Sequence, residues 1–127
     1  MKTRWKKVTT GREQQEVFFT YGDNQEVYRA ILKKGYSLSN QDREDLTGNA
    51  EAASVRLLYK GEVDGFLMWL PKKPKTNKEL AVIFHEVVHL AGFIWHEIGG
   101  AGVTMANDEP FAYLVEEIAE DALNFYR

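Results

Sequence analysis

The segment from Thr76 to Ile98 constrains this chain more than any other. It contains no proline and a single glycine, Gly92, and it runs into the pair Gly99–Gly100. Thr76 followed by Glu79 matches a capping box, which starts a helix through reciprocal side-chain and backbone hydrogen bonds. The glycine pair supplies a C-terminal stop. Between these signals the residues are apolar almost all round, from Leu80 through Ile83, Val87, Leu90 and Ile94 to Trp95. A helix of that kind is expected to be buried on most sides. Glu86 and all three histidines of the chain, His85, His89 and His96, interrupt the apolar run, so it fails as a membrane span.

The rest of the chain supplies shorter elements. "EVFFTYG", Glu16–Gly22, is apolar and aromatic and ends at a turn signal, which predicts a strand. Asp23 with Glu26 opens a short amphipathic helix that presents Val27 and Ile31 and closes at Gly35. Ser37–Ala52 is polar and weakly patterned, so a loop is expected, with at most one helical turn near Asp42–Leu46. Ser54–Tyr59 and Val63–Leu70 flank a glycine-bearing turn and predict a hairpin. A last helix begins near Asp108, with Asn107 or Asp108 as its cap and Pro110 in its first turn. Strand, helix, hairpin, long helix, helix is the order of an α+β domain, with a small sheet packed on the central and C-terminal helices.

A chain of 127 residues is one domain, residues 1–127, and is long enough to bury a core without staples. It has no cysteine, so disulfides and thiolate metal sites are excluded, and any metal must be held by His, Asp and Glu. The net charge of −3 does not suit a nucleic-acid partner. Lys2, Arg4, Lys6, Lys7 and Arg12 make residues 1–12 basic, which is expected to be a solvated arm. Glu116, Glu117, Glu120 and Asp121 make the last helix acidic on a solvated face. No apolar run follows the basic start, so neither a secretory leader nor a membrane anchor is expected, and the default location is the cytoplasm.

The chemistry lies in "HEVVH", His85–His89. Residues i and i+4 project from one helix face about 6 Å apart along the axis, so both imidazoles can reach one ion at about 2.0–2.1 Å. Glu86 lies beside this stripe, able to address a metal-activated water but poorly placed as a ligand. The bland alternative is a set of satisfied core histidines. It requires partners for two imidazoles and a carboxylate in a largely buried helix, and a metal with its water supplies them.

Zinc with an open position needs a third protein ligand. "HEVVHLAGFIWH" comes within one residue of HExxHxxGxxH, with Trp95 where the third histidine belongs and His96 one place late. On a continuing helix His96 lies about 10 Å beyond His89, too far to share the ion, and it serves instead as a helix C-terminal histidine. A lone Met105 does not make a Met-turn. Glu109 is the better candidate, because a loop of about nine residues spans roughly 30 Å and brings the last helix back beside the first. Tyr113 and Glu116 follow on the same face as Glu109, and Glu116 is the alternative ligand. A solvated, N-terminally acidic helix is the competing reading of these residues.

"HEVVH" followed by "NDEPFAYLVEEI" resembles the zincin metallopeptidases of the gluzincin kind. More narrowly, "FLMWLPKKPKTNKELAVIFHEVVHLAGFIWHEIG…DEPFAYLVEEI" resembles small metallopeptidases encoded by phages and prophages. The resemblance covers about half of the chain, from Gly65 to Ile118. It implies one Zn2+ held by His85, His89 and Glu109, with Glu86 as general base, and a peptide or protein substrate. If the chain is phage-encoded, it also implies a bacterial host cytoplasm. Pro110 departs from the small residue usual at that place. Tyr113 is the candidate second donor to the oxyanion, and Val63–Leu70 is a strand with which an extended substrate can pair. A non-catalytic phage assembly or binding protein with a structural metal is the alternative. A nucleic-acid module using the basic arm is a further one, without aromatic–basic interleaving beyond Trp5.

Overall fold

The computed structural model describes residues 4–10, 15–100, 102–104 and 108–127, and of residues 7–10 the backbone alone. Lys2 and Arg12 of the basic arm, Met105 and the candidate cap Asn107 lie outside the described residues. The chain order is β1 (Arg4–Thr10), β2 (Gln15–Tyr21), α1 (Asn24–Lys33), α2 (Asn40–Thr47), β3 (Ala53–Tyr59), β4 (Glu62–Leu70), α3 (Asn77–Glu97) and α4 (Asp108–Tyr126). This is an α+β domain. Its described strands form one mixed sheet in the order β1-β2-β4-β3, antiparallel at both ends and parallel between β2 and β4.

Parallel neighbours cannot be joined by a tight turn. The chain therefore leaves β2, passes through α1, α2 and β3, and returns as β4 with Val17 opposite Phe66. Lys60 and Gly61, with φ of 52° and 82°, make the two-residue turn between β3 and β4. Positive φ at both positions is what a type I′ hairpin turn requires, and a glycine meets that requirement at the second.

The sheet is covered on both faces. Val17, Phe19, Phe66 and Met68 pack against Ile83, Val87 and Ile94 of α3 and Ile118 and Tyr126 of α4. On the other face Phe18, Leu67, Trp69 and Val55 pack against Val27 and Ile31 of α1 and Leu46 of α2. A central strand buried on both faces loses the alternation of a one-sided strand, which is why "GFLMWL" is a continuous apolar run. Each such side chain withdrawn from water contributes about 1.5–3 kcal/mol. The Tyr126 hydroxyl donates to the Thr20 carbonyl at 2.9 Å, with the Met68 carbonyl 3.2 Å away, and so pins the end of α4 across β2 and β4.

Three expectations are corrected. Arg4–Thr10 is not a solvated arm but an edge strand paired with β2, with Trp5 edge-on to Phe18 at 5.8 Å. Ser37–Ala52 is not mostly loop, since Asn40–Thr47 forms a helix capped by Ser39, which accepts from the Asp42 amide at 3.1 Å. Its anchor is tertiary. Buried Asp42 accepts from the Arg56 backbone amide at 3.0 Å and from the Arg56 guanidinium at 3.2 and 3.3 Å. Finally, β4 lies between β2 and β3, so Val63–Leu70 has no free edge for a substrate strand along its paired residues. The edges of the sheet are β1 and β3.

Candidate metal site on the central helix

α3 begins with the expected capping box. Thr76 Oγ1 accepts from the Glu79 amide at 3.1 Å, and the Glu79 carboxylate accepts from the Thr76 amide at 3.2 Å. The helix then continues without a break through Gly92 to Glu97. Only one side of it is buried. Ile83, Glu86, Val87, Leu90, Ala91 and Ile94 face the domain, whereas Phe84, His85, Val88, His89 and His96 are exposed. The expected burial on most sides is therefore wrong for the histidines. Water satisfies an exposed imidazole, so burial does not argue for a metal at this pair.

Geometry does. Steps of about 100° per residue bring His85 and His89 onto one stripe. Their rings stand 4.8 Å apart at 74°, with the two Nε2 atoms separated by 3.2 Å. Two nitrogens at that spacing subtend about 103° at an ion about 2.05 Å from each, close to a tetrahedral angle. The same spacing also suits a hydrogen bond from one ring to the other. His96 shares the stripe, but the unbroken helix carries it about 10 Å beyond His89.

Glu86 leaves the stripe and turns toward the sheet. It is only 6% exposed, and its Oε1 accepts from Ser54 Oγ of β3 at 2.8 Å. The same Oγ lies 3.1 Å from the Glu86 carbonyl oxygen. The Tyr126 phenol is close enough to feel this carboxylate. Burial first, and then the Glu86 charge, push the phenol well above its ordinary range. Arg56, two residues beyond Ser54, lays its guanidinium over the Phe93 ring of α3 at 4.6 Å while it holds Asp42. Sequence reasoning missed Ser54 and Arg56. The available signal was parity. Ala53, Val55 and Leu57 share one buried face of β3, which leaves Ser54 and Arg56 on the face that meets α3.

α4 runs back along α3. Phe111 stands edge-on to Trp95 at 5.7 Å, near the end of α3, while Tyr126 reaches the neighbourhood of Glu86. Glu109, Tyr113 and Glu116 are all exposed on α4. Among the described residues no group of three His, Cys, Asp or Glu side chains forms a metal-holding cluster. His89 precedes Trp95 by about 9 Å along α3, and about six residues of α4 beyond Phe111 cover the same rise. That places Glu116 nearer than Glu109 to the axial level of His89. Asp108 is the first residue of α4, so it is not the cap.

Among the described residues no helix is long and apolar enough to cross a membrane. Comparison of the chain with protein-family models, with curated proteins and with solved structures finds no match.

Proposed function

We propose that this chain is a zinc-dependent metallopeptidase of the gluzincin kind. The observation that carries the reading is the His85–His89 pair, whose Nε2 atoms lie 3.2 Å apart beside a glutamate at the next position. A pair of neutral imidazoles at that spacing fits two corners of a tetrahedral ion. His85 and His89 would hold the metal, with Glu109 as the third ligand by resemblance. When bound, zinc supplies Lewis acidity that polarises a scissile carbonyl and makes water more acidic.

The chain's own residues do the rest. Glu86, the residue next to His85, takes the proton of the attacking water and returns it to the leaving amine, the roles of a general base and acid. The exposed Tyr113 hydroxyl is the candidate donor to the oxyanion. The substrate is a peptide or protein, as the resemblance implies. The outer edge of β3 is engaged within the chain, since Asp42 accepts from the Arg56 amide and Ser37 pairs with Leu58.

The test is a comparison of wild type, Glu86→Gln and His85→Ala for bound zinc and for cleavage of unfolded proteins. The enzyme reading expects Glu86→Gln to keep zinc and lose activity by about 10²–10⁴-fold, and His85→Ala to lose both. A wild type that takes up no zinc sinks the reading. A zinc-loaded wild type that cleaves nothing supports an assembly or binding protein with a structural metal instead.

A further inference from the structure

We propose that Ser54 is a positioning residue for the general base Glu86. This inference rests on the peptidase reading of the site. Glu86 sits one residue after His85, so it is rotated by about 100° from the histidine stripe and enters the seam between α3 and β3. A glutamate has three side-chain torsions, and in that seam it has either to be held or to wander. Ser54 holds it. Its hydroxyl is 2.8 Å from Glu86 Oε1 and 3.1 Å from the Glu86 carbonyl oxygen, so one small side chain reaches both the carboxylate and the main chain of the same residue. A hydroxyl has one proton and donates to one acceptor at a time, and either bond ties α3 to the strand at this residue.

The support beneath Ser54 is rigid. Ser54 is opposite Met68 of β4, and its neighbours Ala53 and Val55 are buried in the opposite face of the sheet. Ser54 itself is 7% exposed. Ser54 bonds Oε1 and leaves Oε2 with no hydrogen-bond partner among the described residues. The arrangement fixes one oxygen of the carboxylate against β3. Supporting residues of this kind typically change activity by about 10–100-fold when removed, because a reacting group displaced by even an ångström loses much of its rate.

The experiment uses zinc-loaded wild type, Ser54→Ala and Ser54→Thr with a pool of fluorescence-quenched peptides, together with the metal-free proteins. Ser54→Ala is expected to lower kcat by about 10–100-fold while KM changes less than about threefold. Zinc stoichiometry stays that of wild type, and Ser54→Thr, which keeps the hydroxyl, restores most of kcat. In the metal-free protein the thermal midpoints of Ser54→Ala, Glu86→Ala and the double variant show coupling, the double falling by less than the sum of the singles. Midpoint coupling with an unchanged kcat in Ser54→Ala overturns the positioning role and leaves a structural hydrogen bond. A zinc-loaded wild type that cleaves none of the peptides overturns the peptidase reading, and this inference with it. An active wild type with Ser54→Ala equally active overturns this inference alone.

Discussion

The Nε2 atoms of His85 and His89 meet 3.2 Å apart on the exposed side of α3, one turn from each other on an unbroken helix. A ligand that binds the folded chain alone raises its stability by mass action, about 2.7 kcal/mol at a concentration a hundred times its dissociation constant. Zinc is therefore expected to raise the thermal midpoint of the wild type, and a chelator to reverse the rise. His85→Ala or His89→Ala abolishes the zinc-dependent part. An equal rise in the two variants would show that the ion binds elsewhere.

The third ligand is tested by two single changes. Glu109 is assigned by resemblance, and Glu116 stands nearer the level of His89 along α4. Glu109→Gln is expected to weaken zinc by more than about tenfold, which corresponds to about 1.4 kcal/mol. Glu116→Gln is expected to leave it within about threefold. Competition titration against a chromogenic chelator measures both, and the reversed pattern assigns the ligand to Glu116.

Gly92 occupies the interior of α3, and a Cβ built there meets nothing within 4 Å. Glycine in a helix interior costs about 0.5–1 kcal/mol relative to alanine. Gly92→Ala is therefore expected to stabilise the fold by about that amount in urea unfolding. A loss of stability would show that the helix needs a bare backbone at this position.

Tyr126 links burial to alkaline stability. Its phenol is fully buried, donates into the β2–β4 seam, and is pushed well above its ordinary range by burial and then by the Glu86 charge. A group whose folded value lies above its unfolded value of about 10 contributes stability that is complete below that pH and lost as pH rises through the folded value. Wild-type stability is thus expected to fall steeply above about pH 10. Tyr126→Phe lacks this component. At neutral pH it is less stable by about 1–3 kcal/mol, because the carbonyls of Thr20 and Met68 lose their donor. Denaturant unfolding at several pH values checks both expectations.

Much of the fold was legible because local signals agreed with one another. Thr76 and Glu79 named the start of α3, Asp23 named the start of α1, and the lysine–glycine turn named the β3–β4 hairpin. Two elements were not legible. β1 presents one half-buried aromatic, Trp5, and owes its conformation to ladder hydrogen bonds with β2. α2 is polar on most sides and is held by Asp42 against Arg56. Both depend on partners outside their own segments. The strand order was hidden for the same reason. β4 looked like an open strand for substrate, and the return of β2 beside it removed that edge.

For the site, the sequence by itself determined the four-residue spacing of His85 and His89, the glutamate between them and the helix that carries all three. Helix periodicity alone brings those imidazoles onto one stripe. Only the tertiary structure decided which side of that helix faces the domain. The apolar residues of α3 packed on the sheet and turned the histidines to solvent, while Glu86, rotated by about 100°, was carried into the seam with β3. Its partner Ser54 stands 32 residues earlier in the chain, and a hydrogen bond across that separation follows from sheet order and helix docking, not from local pattern.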